Sequence, residues 1–280
     1  MMRLVPDGNI KLGMAGTMLS HPGCVREINE DTVAYVIPGD GDPTGRRGAL
    51  ALVADGMGGH AAGEIASRIA AYTVLRVYYE LEGSPPEVLG RSLAAAHQAI
   101  RNHSQAEPEC AGMGTTCTVL VVRDGAAYLA HVGDSRAYLW RDDILHQISE
   151  DHSLVAEMVR QGTLTKEEAA QSPQRNIITR ALGSEASAEP LVFSEGLPVR
   201  RGDVFVLCSD GLTDVVDDHT ISETVAHQPP PEACQTLLDA ALAAGGPDNI
   251  SVGVFVIGGS APVATEMRST RPIAIREHPS

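Results

Sequence analysis

Apolar runs edged by glycine or aspartate recur along the chain at 49–54, 115–122, 126–132, 136–140, 204–208 and 250–257, and their lengths and bounds predict strands. Val122-Arg123-Asp124-Gly125-Ala126 sets Asp-Gly between two alternating runs, the favoured chemistry of a tight hairpin, so 115–140 is expected to form an antiparallel meander. Helical spacing takes over at 62–79, where Ile65, Ile69, Tyr72, Leu75 and Tyr79 share a stripe, and at 86–103, where Val88, Leu89, Leu93, Ala96 and Ile100 do. Ser84-Pro85-Pro86-Glu87 is a start signal for the second of these. Shorter helices are expected at 153–161 and 231–244, the latter closed by Gly245-Gly246. Antiparallel strands alongside several helices define a mixed α and β class.

From 149 to 183 the pattern changes to short polar helical pieces that add little core, as expected of a flap facing a substrate. Residues 259–280 are rich in Pro, Ser, Thr and Arg without an apolar period and are expected to be a flexible tail, leaving 1–258 as a single domain.

The chain has 280 residues and a hydrophobic fraction of 43%, enough for a large core. Its formal net charge of -15, with 21 Lys and Arg, argues against a nucleic-acid or anionic-membrane surface. Cys24, Cys110, Cys117, Cys208 and Cys234 are scattered without a C-x-x-C pair, which points to reduced thiols in a cytoplasmic protein rather than a disulfide framework or zinc knuckle; a monomer is expected, though nothing in the cysteine pattern bears on it. No apolar run approaches the roughly 20 residues that span a bilayer, and no signal-peptide pattern opens the chain.

Acids stand where the apolar runs end. Asp55-Gly56-Met57-Gly58-Gly59 follows the run at 49–54; Glu30 and Asp31 close Arg26-Glu27-Ile28-Asn29-Glu30-Asp31; Asp134 lies in Gly133-Asp134-Ser135-Arg136, Asp210 in Ser209-Asp210-Gly211 and Asp248 in Gly246-Pro247-Asp248-Asn249. Each alone reads equally well as a turn residue, and Asp134 as the partner of Arg136. Together, at the ends of buried strands, they are costly unless a hard divalent cation compensates them.

A rival reading starts from Gly56-Met57-Gly58-Gly59-His60-Ala61, which matches G-x-G-x-x-A after a strand and before a helix, with Glu80 and Glu82 downstream. Against a dinucleotide site, Asp55 stands where a pyrophosphate needs donors, and Glu80-Leu81-Glu82-Gly83-Ser84-Pro85-Pro86 is no buried parallel strand.

The motifs R-x-x-N-E-D, D-G-M-G-G, G-T-T, G-D-S-R, S-D-G-L-T-D and G-x-P-D-N occur here in the order found in the type 2C metal-dependent protein phosphatases, and the chain resembles their bacterial branch from about Gly13 to Ile257. That resemblance implies an α+β fold: a four-layer α-β-β-α sandwich of two antiparallel sheets flanked by helices, with a flap over the active site. It implies two Mn2+ or Mg2+ ions, with Asp55 bridging them, the Gly56 carbonyl and Glu30 serving one, Asp210 and Asp248 the other, and Asp31 supporting the shell. Asp134 matches the residue that binds a third, weaker cation in bacterial members, and Asn176 falls in the flap segment where a partner ligand would lie. Arg26 would hold the phosphoryl oxygens, a task suited to its planar fork.

The implied reaction is hydrolysis of phosphoserine and phosphothreonine in proteins by a metal-bridging hydroxide, opposing a bacterial Ser/Thr protein kinase. One residue departs from the pattern: Met57 stands where many eukaryotic relatives carry a histidine proposed as general acid, and His60 is the nearest histidine in sequence. Cys208 is followed six residues on by Asp214 rather than arginine, so the cysteine-nucleophile pattern fails and Cys208 is expected to be a core thiol. A non-catalytic relative that binds phosphoproteins is the other alternative, disfavoured because every expected metal ligand is retained.

Overall fold

The computed structural model describes residues 13–39, 42–58, 62–184, 188–258 and 264–268. Its strands are β1 Met14–His21, β2 Asp31–Ile37, β3 Ala49–Met57, β4 Gly114–Thr115, β5 Cys117–Arg123, β6 Ala126–Val132, β7 Arg136–Arg141, β8 Ile144–Gln147, β9 Leu191–Val192, β10 Leu197–Pro198, β11 Val204–Cys208, β12 Ile250–Ile257 and β13 Ala264–Arg268. The helices are α1 Ala62–Glu80, α2 Pro85–Ala106, α3 Leu154–Arg160, α4 Lys166–Ala170, α5 Asp210–Thr213, α6 Asp218–His227 and α7 Pro230–Ala243. One sheet runs β1-β12-β11-β7-β8 and the other β10-β6-β5-β3-β2-β13, with β4 on β3 and β9 on β6.

Side-chain alternation builds the layers. In β3, Ala49, Ala51 and Val53 point into an apolar layer shared with Phe205 and Leu207 of β11 and Phe255 of β12, while Leu50, Leu52 and Ala54 face α1 and α2. On the opposite outer face, Val206, Cys208, Val252 and Val254 meet Leu237, Leu238 and Ala241 of α7. This is the four-layer α-β-β-α arrangement that the family resemblance implies. Among the described residues all the pairings are antiparallel, and the strands on either side of α1 form no parallel strand–helix–strand unit of the kind the dinucleotide reading requires. No helix among the described residues is long and apolar enough to cross a membrane.

Several expectations are corrected. The meander over 115–140 breaks after β6: β5 and β6 pair in one sheet, but β7 joins β11 in the other. Gly133, with φ +107°, makes this crossing, and a Cβ there would lie 2.5 Å from Thr116 Cβ. Helix α1 buries Ala66, Ala70, Ala71, Val74 and Tyr78 rather than the expected stripe, leaving Ile65, Ile69, Leu75 and Tyr79 at the margin and Tyr72 exposed. Small residues let the helix lie close on the sheet, and burial follows that approach rather than side-chain size. Strands β1 and β2 were not anticipated. Within the expected tail, Ala264–Arg268 pairs with β2; the remainder of 259–280 lies outside the described residues.

The flap of 149–183 is rooted on β6 and β7. Buried His131 meets Thr118 Oγ1 through Nδ1 at 2.8 Å and the Glu150 carbonyl through Nε2 at 3.0 Å, an arrangement that suits a neutral ring donating from Nε2. Burial, and then His152 nearby, push His131 down to about 4. The unfolded chain takes up this proton near the ordinary pKa of about 6.5, so His131 contributes stability that is fully present above that value and is lost as pH falls toward 4. The difference in urea midpoint between pH 7 and pH 5 is therefore expected to be smaller in His131→Gln than in the parent chain; an equal difference would contradict the assignment.

Candidate active site

Strand register brings the motif acids to one end of the sandwich. Asp31, which opens β2, lies directly opposite Asp55 near the end of β3. Val53 pairs with Thr118 and Cys117 with Val132, so Asp134, just past β6, reaches the same end. In the facing sheet Cys208 pairs with Arg136 and Val252, which sets Asp210 after β11 and Asp248 before β12 beside them. Asp210 opens the short helix α5.

Like charges crowded in this way resist ionisation. Burial, opposed by the hydroxyls of Ser251 and Ser209, pushes Asp31 up to about 7. Burial followed by Asp31, Asp210 and Asp134 holds Asp55 well above the ordinary carboxylate range. Asp134 rises to about 8 through burial, Asp210 and Asp151, and Asp210 to about 6 through burial and Asp214. Burial also raises Glu30.

Four of these carboxylates, Glu30 at Oε1 and Asp31, Asp134 and Asp210 at Oδ1, keep a buried oxygen without a hydrogen-bond partner. Buried oxygens of this kind are costly unless something outside the protein satisfies them. The donor set is all oxygen and suits Mg2+ or Mn2+, whereas Cys208 is a buried thiol pushed up to about 12 by burial. Among the described residues no three His, Cys, Asp or Glu side chains close on one ion-sized point. Asp248 is turned instead toward the protein: its Oδ1 accepts from its neighbour's Asn249 N–H at 2.8 Å and its Oδ2 from Arg26 Nη2 at 2.9 Å.

The backbone beneath the acids is tied in detail. Thr116 Oγ1 accepts from the Asp55 N–H at 2.9 Å, while Thr115 Oγ1 and the Thr116 N–H donate to the Asp55 carbonyl at 2.8 and 2.9 Å. Ser67 Oγ donates to the Glu30 carbonyl at 2.6 Å, which also accepts from Gly56 N–H at 3.2 Å. Gly56 packs on the Gly63 carbonyl and Gly211 on the Asn249 carbonyl so closely that neither position has room for a Cβ.

Buried Asn249 joins these segments. Its Oδ1 accepts from the Glu30 N–H at 2.7 Å, and its Nδ2 donates to the Pro22 and Ile28 carbonyls at 3.0 and 2.9 Å. Asn249→Ala strands these groups and is expected to lower unfolding free energy by ~3 kcal/mol, read as a fall in urea midpoint at constant m. A change within experimental error would show that the three segments hold without it.

The flap stands over a cleft of about 570 Å³ whose walls include Asp134, Asp210, Arg136, Arg175 and Asn176. Arg136 grips Asp151 with Nε and Nη2, the shorter contact 2.7 Å, and its Nη1 reaches Tyr138 Oη at 3.2 Å. Asp134 is not the partner of Arg136, contrary to the simpler reading of the G-D-S-R turn. Arg175 of the flap lies 3.7 Å from Asp214, the residue that closes α5.

Glu30, Asp31, Asp55, Gly56, Asp134, Asp210 and Asp248 thus share one end of the sandwich, with Arg26 beside Asp248 and Asn176 across the cleft. Met57 ends β3, and His60 lies outside the described residues. Asn249, Thr115, Thr116, Ser67 and Ser209 were not singled out from sequence. Asn249, Thr115, Thr116 and Ser209 fall inside the motifs G-x-P-D-N, G-T-T and S-D-G-L-T-D, but their contacts run to the backbone and Asp31, which motif spacing does not reveal.

Residues 28–244 match the family described as Protein phosphatase 2C. The serine/threonine protein phosphatase PstP of Mycobacterium tuberculosis is 40% identical over 240 residues, covering 84% of this chain and 43% of that protein. This chain therefore spans less than half the length of that relative. The serine/threonine phosphatase stp of Listeria monocytogenes is 35% identical over 236 residues, covering 82% of this chain and 90% of that protein. Among solved structures, the catalytic domain of the serine/threonine protein phosphatase PstP in complex with 2 manganese ions superposes with a TM-score of 0.76 at 36% identity, covering 88% of this chain and 99% of that one.

Proposed function

This chain belongs to the protein phosphatase 2C family, and we propose that it hydrolyses phosphoserine and phosphothreonine in phosphorylated proteins, opposing a Ser/Thr protein kinase, as a monomer whose catalytic unit is 1–258 with a flap over about 149–183. The observation that carries this reading is the set of buried, unpartnered carboxylate oxygens of Glu30, Asp31, Asp134 and Asp210 gathered near Arg26.

Two Mn2+ or Mg2+ ions would be held by Asp55 between them, by Glu30 and the Gly56 carbonyl on one side and by Asp210 and Asp248 on the other, with Asp31 behind and Asp134 offering a third, weaker site. Bound there, such ions supply Lewis acidity toward the phosphoryl oxygens and a water acidic enough to attack phosphorus near neutral pH.

The protein's own part is to bind and orient. The Arg26 side chain is about half exposed, 52%, and its fork can turn from Asp248 to two phosphoryl oxygens, which frees a carboxylate oxygen of Asp248 for a cation. The thioether of Met57 has no proton to give, so the departing serine or threonine oxygen is not protonated from that position. The flap lines the same cleft as Asp134 and Asp210, so a substrate that reaches these acids passes against its residues.

Arg26→Lys keeps the charge but loses the fork. It is expected to reduce kcat/KM for a phosphothreonine peptide by about tenfold to a hundredfold, with KM carrying part of the loss. An unchanged kcat/KM would remove Arg26 from phosphate binding. The functional reading itself is tested by hydrolysis of p-nitrophenyl phosphate and a phosphothreonine peptide in EDTA, Mg2+ or Mn2+. Turnover that requires the cation supports it; folded protein inactive with every cation would point to a relative that binds phosphoproteins without turnover.

A further inference from the structure

Large apolar side chains left open are few on this surface. Among the described residues they are Val25, Ile28, Tyr72, Ile144 and Ile177, and three of these lie on the two segments that border the site. Val25, 68% exposed, and Ile28, 40% exposed, stand on either side of Arg26 and Glu27. Ile177, 46% exposed, belongs to the flap, two residues beyond Arg175.

The exposure of Val25 and Ile28 is not the by-product of a slack loop. The Cys24 N–H donates to the Gly246 carbonyl at 2.8 Å, and Asn249 Nδ2 holds the Pro22 and Ile28 carbonyls. Gly23, with φ +78°, packs on the Asp248 carbonyl without room for a Cβ, and Arg26 Nη2 donates to Asp248 Oδ2. The fold therefore holds two apolar side chains in water beside the guanidinium that reaches for phosphate. A single exposed apolar residue is ordinary, but an anchored pair at the mouth of a site is the composition of a contact surface.

Chain geometry supplies the occupant. Consecutive Cα atoms are about 3.8 Å apart, so a protein segment whose phosphoryl group reaches Arg26 carries its adjoining residues over the same loop. What the loop offers them is the apolar surface of Val25 and Ile28 and the carboxylate of exposed Glu27. An apolar neighbour gains by burying that surface along with its own, whereas an acidic neighbour meets Glu27 on a chain of net charge -15.

We propose that Val25 and Ile28 form an apolar lip that selects phosphorylated segments carrying an aliphatic or aromatic residue next to the phosphoserine or phosphothreonine. This assignment rests on the phosphatase reading given above. It concerns which phosphoprotein is accepted, not how the ester is cleaved.

Two phosphothreonine peptides test it, identical except that the residues on both sides of the phosphothreonine are Leu in one and Ser in the other, assayed with Mn2+ beside p-nitrophenyl phosphate. The parent chain is expected to favour the Leu peptide by about tenfold in kcat/KM, and Val25→Ser/Ile28→Ser to reduce that preference to about twofold or less. Because the readout is a ratio between peptides, a general loss of activity in the variant does not move it, and the parent-chain comparison needs no variant. A parent preference below about twofold, or one that survives the double substitution, overturns the lip while p-nitrophenyl phosphate turnover leaves the phosphatase reading standing. Absence of turnover on all three substrates overturns that reading and the lip with it.

Discussion

Asp55→Asn, folded and saturated with Mn2+, is expected to hydrolyse a phosphothreonine peptide about a hundredfold to a thousandfold more slowly than the parent chain, with little of the loss in KM. Asp55 lies opposite Asp31 on the neighbouring strand, and its charge is opposed by Asp31, Asp210 and Asp134. An amide of the same shape keeps the Thr115 and Thr116 contacts, which run to the backbone of residue 55 and not to its side chain. The substitution therefore removes charge while leaving the strand in place. Circular dichroism and a cooperative melt establish that the variant is folded; turnover within tenfold of the parent would then show that residue 55 does not bridge the cations.

Without cations the order of stability is expected to reverse. In EDTA the parent chain must hold Asp31, Asp55, Asp134 and Asp210 together against burial and mutual repulsion, so Asp210→Asn is expected to melt higher than the parent. Mn2+ at a hundred times its Kd adds about 2.7 kcal/mol to the parent, which for a domain of this class corresponds to roughly 5–10 °C in Tm. Asp210→Asn, short of a ligand, is expected to gain only a small part of that, so the melting curves cross between EDTA and Mn2+. If Asp210→Asn melts below the parent in EDTA, or gains as much from Mn2+, the acids are not a cation site held under repulsion.

Much of this architecture could be read from the chain, for a physical reason in each case. Strand β12 is bracketed by the Asp248 turn and Gly258 and carries one polar side chain, Ser251, and α2 buries the stripe its spacing gives, because a helix on one sheet face has one apolar side to hide. The acids were recognisable as a set because each stands at or near the end of an apolar run. Their convergence was not legible, since register between strands distant in sequence leaves no local signal: Asp31 opposite Asp55 depends on β2 pairing with β3. Strand β1 escaped notice because Gly16, Thr17 and Ser20 dilute its apolar pattern, and Gly16 is there for close packing against Phe255. The crossing at Gly133 was hidden because a glycine followed by aspartate reads as a hairpin turn until the partner strands are known.

The apolar layer between the sheets acts as a calliper. Asp31 and Asp55 ride on one jaw, while Asp210 and Asp248 stand at the tips of the other, and the separation is set by Phe205, Leu207 and Phe255 meeting Val33, Val53 and Leu120. Magnesium demands oxygen distances near 2.0–2.1 Å, and calcium accepts about 2.3–2.6 Å, so a few tenths of an ångström in jaw width discriminate between ions. With cations held as proposed, residues that carry no charge and touch no ligand would thereby gauge which metal the carboxylates could share.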